Sequence, residues 1–197
     1  MSEPYSLLVK VPVDAAKLAA ALGSPVMPAA AFDDWAALGH APMPADLAVP
    51  PPSTPLRYLR ELRDASLPEY GWHFAHDTAT GFVTCVCLLW TERPAEIIAG
   101  LNVLRQLFAS GGDGRVGFIL VHGTVFPALG TLCGVRIAGG HSQMLPAHDA
   151  QLAQAQAHLL PIGQALLDQA NSLFAREDRA AAAQKLMVDQ LDAVAGK

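Results

Sequence analysis

The sequence predicts an α+β fold: a mostly antiparallel sheet with a β-β-α-β-β core plus an N-terminal strand, helices packed on one face, and a helical C-terminal segment. Three observations lead there. The opening stretch "YSLLVKVPV" alternates Tyr5, Leu7, Val9, Val11 and Val13 against Ser6, Leu8, Lys10 and Pro12, the period of a strand with one strongly apolar face. Between residues 70 and 140 the hydrophobic patterns run strand, strand, helix, strand, strand. Apolar residues make up 52% of the 197 residues and charged residues only 16%, so the chain can build a core, as a single domain over 1–197.

Each element has its own signal. Pro12 marks a strand edge or end, because proline donates no ladder hydrogen bond. Asp14 is placed to cap a short helix over "AAKLAAAL", which Gly23 stops. Residues 24–55 carry prolines at 25, 28, 42, 44, 50, 51, 52 and 55, the composition of a long loop or arm, with one helical turn around "AFDDWAAL". Thr54 and Pro55 begin a helix over "TPLRYLRELRDA". Strands follow over Tyr70 to Asp77 and Phe82 to Thr91, joined by "TATG", where Gly81 suits a hairpin.

The clearest amphipathic helix is "RPAEIIAGLNVLRQLFASGG", with Ile97, Ile98, Leu101, Leu104, Leu107 and Phe108 as its stripe. "RVGFILVHG" and "TLCGVRIAGG" read as two more strands around a turn at Phe126 to Gly130. After "GGHSQMLP" the remainder, 147–197, reads as helical. Leu152, Leu159, Leu166 and Leu173 recur every seven residues and face either the core or a partner helix, and Pro161 is expected to kink or restart the helix. Leu186, Met187, Leu191 and Val194 form a thinner stripe.

Thirteen Lys plus Arg against eighteen Asp plus Glu give a net charge of −5 with no clustered basic face, which argues against nucleic acid as a partner. Arg57, Arg60 and Arg63 recur every three residues but are expected to form i,i+4 pairs, Arg57 with Glu61 and Arg60 with Asp64. The N-terminus lacks the basic and apolar regions of a secretory signal, and the best apolar run, "FVTCVCLLW", is about half the length of a membrane span, so no membrane association is expected. Three cysteines, with Cys85 and Cys87 too close for a routine bridge, fit a reducing, cytoplasmic compartment.

The stretch "GWHFAHDTATGFVTCVCLLW" gathers two histidines and two cysteines, but strand alternation sends His73 and His76 to opposite faces. Cys85 and Cys87 share a face with Val83 and Leu89, the surroundings of small buried hydrophobes, and a C-x-C pair alone falls short of the four ligands of a structural zinc. No metal or other cofactor is therefore expected. His141 with Ser142 lacks the G-x-S-x-G elbow of a hydrolase, and "GGDGRVG" lacks the spacing and lysine of a phosphate loop. His148 beside Asp149 reads as helix capping. Asp33, Asp34, Trp35 and His40, in the proline-rich stretch, combine an aromatic with adjacent acids on a long loop, the composition of a partner-contacting patch.

In layout, an acidic chain under 200 residues with an N-terminal strand and a central sheet-and-helix unit that includes "GFVTCVCLLWTERPAEIIAGLNVLRQLF" resembles bacterial toxin-immunity proteins. The resemblance implies a cytosolic binding protein that neutralises a cognate protein toxin by stoichiometric complex formation, its acids steering it toward a basic surface. Two alternatives stand beside it. One is a metal-dependent or hydrolytic enzyme using His73, His122 and His141; the other is a self-associating module that dimerises through its C-terminal helices.

Overall fold

A computed structural model describes residues 3–39, 44–66, 71–146, 148–174 and 188–196. It is an α+β fold, as the sequence predicts. The strands are β1 (Tyr5–Pro12), β2 (Trp72–Asp77), β3 (Phe82–Thr91), β4 (Gly117–His122), β5 (Thr131–Ala138), β6 (His141–Leu145) and β7 (Val188–Asp189). The helices are α1 (Ala15–Leu22), α2 (Pro44–Leu47), α3 (Pro55–Ala65), α4 (Pro94–Gly111), α5 (Ala150–Phe174) and α6 (Leu191–Val194). The sheet order is β6-β5-β4-β1-β3-β2-β7, and every pairing is antiparallel except β2 with β7.

β1 lies at the centre, between β3 and β4, and Pro12 ends it. Its Leu7, Val9 and Val11 enter one core with α1, α3 and α4, whereas Leu8 enters a second core on the opposite face, under α5. A central strand covered on both faces explains why Leu8 breaks the apolar-polar alternation. The capping signals hold. The Asp14 carboxylate accepts from the Lys17 amide at 2.9 Å, and the Thr54 hydroxyl from the Arg57 amide at 3.3 Å.

Three expectations change. "GGHSQMLP" does not lead directly into helix: Gly139 and Gly140 (φ 57° and 80°) make a two-residue hairpin turn, and β6 pairs back on β5. Two adjacent positive φ angles suit a Gly-Gly step, whose primed turn matches the twist of the strands. Secondly, α5 runs unbroken through Pro161. That proline is exposed, as is Ala157, whose carbonyl loses its helical donor and can be hydrated instead. Thirdly, β7 and α6 replace a continuous helix at the C-terminus; Tyr70, Leu186 and Met187 lie outside the described residues.

Leu152, Leu159 and Leu166 are buried in the chain's own second core with Leu8, Val86, Leu88, Phe118, Leu120 and Leu145. The seven-residue register thus serves intramolecular packing, each leucine contributing about 1.5–3 kcal/mol of apolar burial. A side chain at Gly163 would collide with Leu8 at 2.9 Å, so glycine is what lets α5 cross β1 closely. Among the described residues no helix is long and apolar enough to cross a membrane.

Candidate functional site

The first part of the proline-rich segment is an ordered strap laid over α4 and the free edge of β6. α4 grips it by its backbone: the Met27 carbonyl accepts from Asn102 Nδ2 at 2.8 Å and Gln106 Nε2 at 3.0 Å, and the Met27 amide donates to Gln106 Oε1 at 2.8 Å. The Met27 side chain is left 55% exposed. Further along, helical turns at Ala29–Ala31 and Trp35–Leu38 fold the strap inward.

At its centre is Arg105 of α4, whose side chain is 1% exposed. Nη2 donates to both Asp34 carboxylate oxygens, at 2.7 and 2.9 Å, and Nε donates to Ser142 Oγ at 3.1 Å. The Phe32 ring lies 3.8 Å from the guanidinium carbon and the Trp35 ring 4.9 Å. Asp34 Oδ2 also accepts from the Met144 amide of β6 at 2.8 Å. Burial lowers the Arg105 pKa from its ordinary value, and the Asp34 carboxylate opposes that shift. Nη1 finds no partner among the described residues. The arrangement is a charge-assisted clamp that fixes the strap, α4 and the β6 hairpin to one another.

The four residues expected to contact a partner are therefore divided. Asp33 is exposed, and its carboxylate makes no bond among the described residues. Asp34 belongs to the clamp. Trp35 is buried at 3% exposure with its indole N–H donated to the Ala29 carbonyl at 2.9 Å, so it anchors the strap. His40 lies outside the described residues. Beside the strap is a groove of about 430 Å3, lined by Met27, Phe32, Gln106, Ser110, His141 and Ser142 among others. Ser142, dismissed from a hydrolytic role on sequence grounds, reappears as a ligand of Arg105.

Arg105 is not among the expected site residues, although the sequence carries a signal for it. Ile98, Leu101, Arg105 and Phe108 are spaced by three or four along α4, so the arginine interrupts the apolar stripe itself. A charge at such a position must find a buried partner.

His73, His122 and His141 do not form a site. Along β5, His122 pairs opposite Thr131 and His141 opposite Ala138, which puts them at opposite ends of a strand about 20 Å long. His73 lies on β2, three strands away from β4. Burial lowers the pKa of His73 and of His122, whose Nδ1 is 2.8 Å from Thr131 Oγ1. No group of three His, Cys, Asp or Glu among the described residues is placed to hold a metal ion. Cys85 and Cys87 are buried beside Trp72 and Phe74, and burial pushes the Cys87 thiol to about 11 and the Cys133 thiol to about 12. Such thiols are protonated at neutral pH and poorly nucleophilic.

The arginine row of α3 also pairs differently from expectation. Arg57 does bond Glu61 at 2.7 Å, but Arg60 turns to Asp192 and Arg63 to Asp64, Asp189 and Asp192. Comparison with family models, curated proteins and solved structures finds no match to this chain.

Proposed function

We propose that this chain is a cytoplasmic, immunity-type binding protein of bacterial origin that neutralises a cognate toxin by forming a stoichiometric complex. The strap and its adjoining groove are the contact surface. The observation that carries the reading is the Arg105 clamp: it holds the strap rigid while leaving Met27 and Asp33 outward beside a groove of about 430 Å3. A surface already ordered before association loses less conformational entropy on binding. Met27 supplies an adaptable apolar contact, Asp33 an exposed negative charge, and the net charge of −5 favours approach to a basic partner. Asp34 and Trp35 act beneath that surface by fixing its shape.

The test is growth protection. The chain is co-expressed in bacteria with the product of the gene immediately upstream, and survivors are counted; survival that requires this chain is the expected result, and toxicity left unrelieved overturns the reading. The combined variant Met27→Asp with Asp33→Lys should then abolish protection without changing the thermal unfolding midpoint. Full protection by that variant would move the interface elsewhere.

A further inference from the structure

The face of the sheet opposite the strap carries a second, chemically different feature. The pairing register sets Gln143 of β6, Arg136 of β5, Phe118 of β4, Lys10 of β1 and Thr84 of β3 in one row across the sheet. Residues opposite one another on neighbouring strands share a face, so the two cations flank Phe118, with backbones about 10 Å apart. α5 contributes the exposed His158, whose ring meets Phe118 edge-on at 6.0 Å. Lys10 and His158 line a cavity of about 170 Å3 with Phe82, Val116, Phe118 and Leu159.

Charge balance singles the cavity out. Among the described residues neither Lys10, Arg136 nor His158 makes an ion pair, in a chain whose acids outnumber its bases. Lys10 Nζ sits 5.5 Å from the Phe82 ring centroid, and Arg115 covers the same ring at 4.9 Å while engaged with Asp113 and the Thr80 carbonyl. Cations on one sheet face that lack an ion-pair partner are favourably placed to attract an anion between them. The apolar rim of Phe82 and the 41%-exposed Val116 suits the carbon skeleton of whatever bears that anion.

We infer that the cavity bounded by Lys10, Phe82, Phe118 and His158, with Arg136 beside it, binds a small soluble phosphate monoester carrying an aromatic or apolar group. Lys10 and the His158 imidazole line the cavity and Arg136 stands one strand beyond Phe118, a combination that favours a dianion over a monoanion, and about 170 Å3 accommodates the phosphoryl group while the remainder lies on Phe82 and Val116. The site is on the opposite sheet face from the strap and does not rest on the toxin-binding reading.

Calorimetric titration of the full chain with phenyl phosphate, inorganic phosphate and phenol tests it. Phenyl phosphate should bind saturably and more tightly than inorganic phosphate, and phenol should not bind. Lys10→Met and Arg136→Met should each weaken phenyl phosphate about tenfold, whereas Lys17→Met, an exposed position on α1 at the other face, should change nothing. In the unsubstituted protein, NMR resonances of Lys10, Phe82 and His158 should move on titration, a readout that does not depend on a variant folding. Absence of saturable binding, equal binding of phenol, or binding indifferent to Lys10 and Arg136 overturns the inference.

Discussion

The two edges of the sheet are closed by the same chemistry under opposite conditions. At the β6 edge, Asp34, itself 29% exposed, accepts the Met144 amide and pairs with an Arg105 side chain that is only 1% exposed. At the opposite end, where the two-residue β7 covers only part of the β2 edge, the Gln190 amide donates to the Phe74 carbonyl at 2.9 Å, Gln190 Oε1 accepts the His76 amide at 2.8 Å, and Arg60 and Arg63 hold Asp189 and Asp192 within reach of water. Both devices satisfy backbone groups that would otherwise invite edge-to-edge pairing. They differ in consequence, because a guanidinium cut off from water is expensive to leave unpaired, whereas pairs between half-exposed side chains mainly orient their segment.

The largest expected effect follows from breaking the dry edge. Asp34→Ala strands the Arg105 charge and the Met144 amide together and should lower unfolding stability by about 3–5 kcal/mol in a urea titration. Combining Asp34→Asn with Arg105→Met should recover much of that loss, since no buried charge then lacks a partner. Gln190→Ala removes one neutral side-chain bond at the other edge and should cost about 1 kcal/mol. Asp192→Ala should leave the global unfolding midpoint almost unmoved while speeding hydrogen exchange at the His76 amide.

Acid sharpens the contrast. Hydrogen bonds from Arg60 and then Arg63 hold the Asp192 carboxyl below its ordinary value. Its stabilising contribution is thus complete above the unfolded-state pKa of about 3.9 and is lost as pH falls through the lower folded value. Protection of the β2-edge amides, corrected for the intrinsic pH dependence of exchange, should fall below about pH 4, and added salt should produce a milder version of the same loosening. At the β6 edge, salt should have little effect on the Asp34→Ala stability difference.

Local patterns in the sequence were read correctly where the structure they specify is local. The alternation of β1, the Asp14 and Thr54 caps and the stripe of α4 each depend on neighbours within a few residues. The β6 hairpin is not legible in the sequence because a Gly-Gly step suits an open loop as well as a primed turn, and only pairing with β5 decides between them. Pro161 predicts a kink that α5 does not show, because the solvent-facing side it occupies is a tertiary property. At the candidate site, Asp34 looked like a surface acid since Arg105 lies 71 residues away in sequence, and nothing near Asp34 announces it. Asp33 and Asp34 are chemically identical neighbours; only the fold assigns one to the surface and the other to the clamp.

The clamp also sets an order of assembly on the ribosome. Asp34 and Met144 are separated by 110 residues, so at ordinary elongation rates the strap waits roughly 5–20 s for the hairpin that completes its seat. For the first 71 residues of that interval Trp35 and Phe32 have no Arg105 to stack on. The proposed contact surface therefore cannot take shape before β6 is made, and a nascent copy that ends short of Met144 should not yet recognise a partner.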